Sequence, residues 1–135
     1  MFRFKHYSLT VILFAALSCS PEPVEQSYKN ATDCTINDTE GFQGICLNGS
    51  KYASPDDVLT YASKATPNYD RIEWSIENGN LSIQSIEETV EEGMLKSIAT
   101  LQFKSTFSGG SIRVVASTSN NSEFVEITNY EITIE

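Results

Sequence analysis

The sequence predicts an all-β fold, an antiparallel β-sandwich of six to seven short strands. Three observations carry that expectation. From Val58 onward apolar residues recur at every second position in one run after another. Clusters of Asn, Gly and Ser separate the runs. No stretch of helical periodicity reaches the length of a stable helix, so layered sheets are the way left to bury the apolar faces.

The chain opens with MFRFKHYSLTVILFAALSC, a basic start at Arg3 and Lys5, an apolar segment from about Leu9 to Leu17, and small residues before Cys19. That order is the grammar of a secretory signal peptide, placed at residues 1–18. A spanning helix needs about 20 apolar residues, and this run reaches roughly half of that. Ala16-Leu17-Ser18-Cys19 resembles the bacterial lipoprotein lipobox, in the relaxed form found in Bacteroidetes, with Ala16 where the usual box has Leu. The resemblance implies a lipid on Cys19, which would become the first residue of a protein anchored in the bacterial cell envelope, periplasmic or at the cell surface. Ala16-x-Ser18 also satisfies the small-x-small rule of ordinary cleavage.

Cysteine arithmetic points the same way. Three cysteines are an odd number for an exported chain. A lipid on Cys19 leaves Cys34 and Cys46 as a pair able to oxidise; two free thiols are the alternative.

Without residues 1–18, seven basic and eighteen acidic residues remain, a net charge of −11. Such a surface repels phosphate backbones and anionic membranes, so no nucleic-acid partner is expected and membrane contact would rest on the lipid. His6, the one histidine, lies in the signal. The remainder therefore lacks Ser-His and Cys-His catalytic pairs and imidazole-bearing zinc sites. No enzyme activity, catalytic residue, metal or cofactor is assigned.

Residues 19–33, with two prolines and no apolar periodicity, read as a lipid-anchored flexible tether, and 34–135 as the sandwich. A short first strand is expected near Gly44–Leu47. In VLTYASKAT, Leu59, Tyr61 and Ala65 share a face; in DRIEWSIE, Ile72, Trp74 and Ile76 oppose Arg71, Glu73, Ser75 and Glu77. After the Asn78-Gly79-Asn80 turn, Leu81 and Ile83 alternate until Ile86 breaks the phase. The glutamate-rich EETVEEG is the one place where a helical turn is expected, ending at Gly93. Leu95, Ala99, Leu101, Phe103 and Phe107 then share a period-two face, Gly109-Gly110 is a turn, and Ile112, Val114 and Ala116 point inward from the next strand. In the last run the inward phase passes from Val125 and Ile127 to Tyr130, Ile132 and Ile134, which predicts a bulge near Thr128 and Asn129.

IEWSIENGN followed by ATLQFKSTFSGGSIRVVAST is similar to PKD-like and other immunoglobulin-like modules of bacterial surface proteins. Trp74, Asn78, Gly79, Gly110, Ile112, Val114 and Ala116 carry the likeness over roughly Asp57–Glu135; the Asp-Gly-rich motif that usually follows is replaced by ENGN. The resemblance implies an immunoglobulin-like (PKD-like) sandwich with a non-catalytic role in adhesion, spacing or partner contact through loops at one end.

Other chemistries find less support. Glu87, Glu88, Glu91 and Glu92 offer oxygens to calcium but lack the loop spacing of a dedicated site, and read as a solvated charged loop. Glycan capture would need exposed aromatics among Tyr52, Tyr61, Tyr69 and Trp74. Trp74 alternates with core residues, which leaves Tyr69, in the loop TPNYD, as the expected exposed contact. A carboxylate-based hydrolase would need two acids about 5–10 Å apart in a cleft.

Overall fold

The computed structural model describes residues 29–36, 40–120 and 125–135. The expected signal segment, Cys19, most of the tether, and the second residue of the Asn120-Asn121 turn lie outside the described residues. The described elements are strands: β1 (Ile45–Asn48), β2 (Tyr52–Ala53), β3 (Val58–Ala65), β4 (Arg71–Gly79), β5 (Leu81–Glu91), β6 (Met94–Phe103), β7 (Gly110–Ser117) and β8 (Val125–Ile134). They form two four-stranded sheets, β1-β3-β6-β5 and β2-β8-β7-β4. All pairs are antiparallel except β2 with β8. This is an immunoglobulin-like sandwich in which the leading strand divides between the two sheets as β1 and β2.

Alternation decides which side chains enter the core. Ile72 and Trp74 of β4, Ala99, Leu101 and Phe103 of β6, and Ile112, Val114 and Ala116 of β7 are buried, while Arg71, Glu73 and Ser75 are exposed. Tyr61 is fully buried, and its hydroxyl donates to Ser50 O at 2.8 Å. Phe107 follows β6 in a loop, where its ring meets that of Phe103 edge to face with centroids 4.7 Å apart.

Tight backbone approaches fix two corners. A Cβ on Gly110 would stand 2.6 Å from Asn78 O, and one on Gly49 would stand 2.1 Å from the Tyr61 ring. Glycine is the residue that allows both approaches.

The structure corrects four expectations. The described residues form eight strands, one more than the upper expectation, because the first strand is split into β1 and β2. Residues 87–93 contain no helical turn: β5 continues to Glu91 and turns through Glu92 and Gly93, whose φ values of 51° and 79° suit a two-residue hairpin of the I′ type. β8 has no bulge, since its register with β7 runs unshifted from Ser117–Val125 to Gly110–Ile132. Ile127 pairs with Val115 and is 45% exposed, a surface residue rather than part of an inward phase. The irregularities lie instead between Ile76 and Asn78 in β4 and between Ile83 and Ser85 in β5. The second of these accounts for the phase break at Ile86.

The fourth concerns the domain edge. Residues 29–33, assigned to the tether, lie against the sandwich. Asn30 bridges Thr60 in parallel, Ala31 N–H donates to Thr60 O at 3.1 Å, and Ala31 is 3% exposed. β1 pairs only the upper half of β3, Ala62 to Ala65, so this segment completes an edge otherwise left open.

Candidate functional site

The registers give the sandwich two distinct ends. At one, Lys29 pairs with Glu135, and the connections 54–57 and 104–109 turn beside Asn80. The Lys29 ammonium holds the Glu135 carboxyl below its ordinary range. At the other end lie the connection 66–70, the Glu92-Gly93 turn and the start of the β7–β8 connection. There Asp70 accepts hydrogen bonds from Ser119 N and Oγ at 2.8 and 2.6 Å, which ties two connections together and lowers the Asp70 pKa. The described chain thus enters at one end and presents a bonded pair of connections at the other.

Along the side between those ends, Cys34 and Cys46 form a disulfide with Cα atoms 5.8 Å apart. Lys64 reaches Asp33 at 2.7 Å, and this hydrogen-bonded ion pair lowers the Asp33 pKa. Asn48 Nδ2 donates to Asp33 O at 2.9 Å. Cystine, ion pair and amide together strap the entering chain across β1 and β3.

Two shallow clefts flank this strap. One of about 350 Å³ is lined by Asp33, Thr35, Leu47 and Asn48 with the cystine. The other, about 340 Å³, is lined by Gly49, Ser50, Lys51, Tyr52 and Tyr130, with Lys29 and Glu135 also on its wall. Tyr130 is fixed there by its hydroxyl, which donates to Gly49 O at 2.7 Å. Among the described residues Asp33 is the carboxylate that lines the first cleft and Glu135 the one that lines the second.

The expected contact residue Tyr69 is a correction. Its N–H closes a turn onto Thr66 O at 3.0 Å, and the ring lies in the core at 6% exposure. Trp74 is buried as its phase indicates, and its indole N–H donates to Ser97 Oγ at 2.9 Å. Of the four aromatics weighed for sugar stacking, Tyr52 alone is exposed, at 56%. The glutamate cluster is divided by strand alternation: Glu88 pairs with Ser97 on the inward face, Glu87 pairs with Ile98 on the outward one, and Glu91 bonds Lys96 at 2.6 Å. Among the described residues no three His, Cys, Asp or Glu side chains group as a metal site.

Sequence reasoning passed over Ser97, Asp33 and Gly49. The signal for Ser97 was a small polar residue in phase with Leu95, Ala99 and Leu101, matched to a tryptophan that needs an acceptor.

The third feature is the open side. β4 and β5 are the last strands of their respective sheets and lie on the same side of the sandwich, joined at one end through Asn80. Ile86 pairs with the fully buried Ala99, and Val90 with Leu95, yet Ile86 is 45% and Val90 70% exposed. The far half of β5 carries core-phase side chains that the opposite sheet does not cover.

Among the described residues no helix is long and apolar enough to cross a membrane. No protein-family model matches the chain, and no curated protein matches it in sequence.

Proposed function

We propose that this protein is an exported bacterial lipoprotein, anchored in the cell envelope through a lipid on Cys19, whose PKD-like, immunoglobulin-like domain acts as a non-catalytic module for partner binding or spacing. The observation that carries the reading is the polarity of the sandwich. The chain arrives at one end beside Glu135, is strapped along β3 by Asp33, Lys64 and the cystine, and leaves its connections at 66–70 and 92–93 at the far end. A domain held by a tether needs its point of entry clear of its contact surface, and this one meets that requirement. The strap resists a pull on the tether, since a disulfide closing a loop of this size stabilises by about 3 kcal/mol.

Fractionation tests the reading. The wild-type protein should stay with membranes through high-salt washing, and Cys19→Ala should be released or retained as precursor. Wild-type protein that washes off as readily as the variant counts against an anchor.

Glycan capture is a second reading, favoured by one observation: Tyr52 stands exposed beside the cleft that Tyr130 walls. Saturable binding of envelope polysaccharide, abolished by Tyr52→Ala, would support it.

A further inference from the structure

We propose that the free edge of β4 and the uncovered inward face of β5 form a slot that receives one extended, basic strand from a partner protein. This names a partner chemistry for the binding role proposed above, and it does not require the lipid on Cys19.

The argument begins with the irregularity between Ile83 and Ser85. Leu81 and Ile83 face the core from odd positions, and the extra residue transfers the inward phase to Ile86, Glu88 and Val90. Two β-branched apolar residues are therefore directed to the core side of the sheet, yet stand 45% and 70% exposed with no strand opposite them among the described residues. The strand that would cover them is one added beside β4, whose outer backbone groups have no strand neighbour among the described residues because β4 ends its sheet. Antiparallel pairing leaves alternate N–H and C=O groups of such an edge strand free for a further ladder. An incoming strand would place every second side chain on Ile86 and Val90 and the others beside Glu73 and Glu77.

Charge decides which strand. Glu73 and Glu77 line β4, and Glu87, Glu88, Glu91 and Glu92 surround the exposed half of β5. Of the neighbouring bases, Lys96 lies on Glu91 and Arg113 4.0 Å from Glu77, while Arg71 stands exposed at the start of β4. A second copy of this chain would bring the same acids to the slot and be repelled, as befits a chain of net charge −9. Glu88, pointing inward between Ile86 and Val90, blocks apolar edge-to-edge association with a second sheet. The occupant that satisfies both faces alternates apolar and basic residues.

The test uses the full-length protein in a non-ionic detergent micelle and a synthetic peptide alternating valine with lysine. Saturable binding is expected, with amide exchange slowed along β4 and chemical-shift changes at Ile86 and Val90. Val90→Lys, at a solvated position that leaves the unfolding midpoint unchanged, should weaken binding about tenfold, and Glu73→Lys should weaken it and reduce its salt dependence. The same peptide with glutamate for lysine, or with proline at alternate positions, should not bind. Four results would overturn the proposal: absence of saturable binding, binding that leaves β4 exchange unchanged, indifference to Val90→Lys, or equal binding of the glutamate peptide. Cys19→Ala protein should bind the peptide as wild type does, so the slot and the anchor stand or fall separately.

Discussion

Ser97 sits fully buried on the inward face of β6 and accepts a hydrogen bond from the Trp74 indole N–H at 2.9 Å. In an immunoglobulin-like sandwich a core tryptophan needs a partner for its N–H, and here a serine of the facing sheet provides it. Ser97→Ala leaves that N–H buried and unpaired, so a loss of about 1–3 kcal/mol is expected in denaturant unfolding. Trp74→Phe removes the donor, and adding Ser97→Ala to it should cost clearly less than Ser97→Ala does alone. Additive losses in that double-mutant cycle would show that the bond does not couple the sheets. The carboxylates make a separate prediction. Lys64 lowers the Asp33 pKa below 3.8, Ser119 lowers that of Asp70, and Lys29 lowers that of Glu135 below 4.5. A carboxylate with a depressed folded pKa adds stability that is complete above its unfolded value and lost as pH falls through the folded one. The unfolding midpoint should therefore hold steady as pH is lowered from neutrality and decline below about pH 4. All three groups are solvent-accessible, so Asp33→Asn should flatten that decline modestly.

At the scale of elements, the hairpin between β5 and β6 shows what alternation reveals and what it hides. Strands β4, β6 and β7 were legible because one face is buried and the other at least partly solvated, which writes a period of two into the residues; β3 is covered on both faces from Tyr61 to Ala65. Residues 85–92 carry mostly polar side chains on both faces, so periodicity had nothing to report, and glutamate-rich composition favoured a turn of helix. The deciding feature was the Glu92-Gly93 pair at positive φ, a geometry usual for glycine and costly for glutamate. Glu92→Asn should accordingly raise stability by about 0.5–1 kcal/mol in equilibrium unfolding, and no change would show that the turn is not under strain. Tyr69 misled for a related reason: TPNYD has the composition of an exposed loop, yet the Thr66–Tyr69 turn folds the ring back into the core. Ile127 misled in reverse, an apolar residue on an outer face beside Val115. The Cys34–Cys46 pair was legible by count, but its task of fastening residues 29–34 onto β3 depends on contacts between Ala31 and Thr60 that no local pattern records. Replacing both cysteines with serine should lower stability by about 3 kcal/mol and speed amide exchange at Ala31 before exchange at Leu101.

Three features meet in the whole molecule: a cysteine preceded by a signal-like segment, an entering chain strapped along one side of a small sandwich, and an acidic surface with one open side. On the proposed reading, that acidity would set copies of the domain apart and leave attachment to the lipid rather than to phosphate surfaces. A lipid on Cys19 is the part of this account on which location and presentation both depend. The measurement that tests it most directly is the intact mass of the protein extracted from the membrane fraction, compared with a Cys19→Ala control. A lipid on Cys19 requires a chain that begins at Cys19 and exceeds its polypeptide mass by a diacylglyceryl group or a further acylated form, with no such increment in the control. A chain of unmodified mass, released in the same form from wild type and variant, would contradict it.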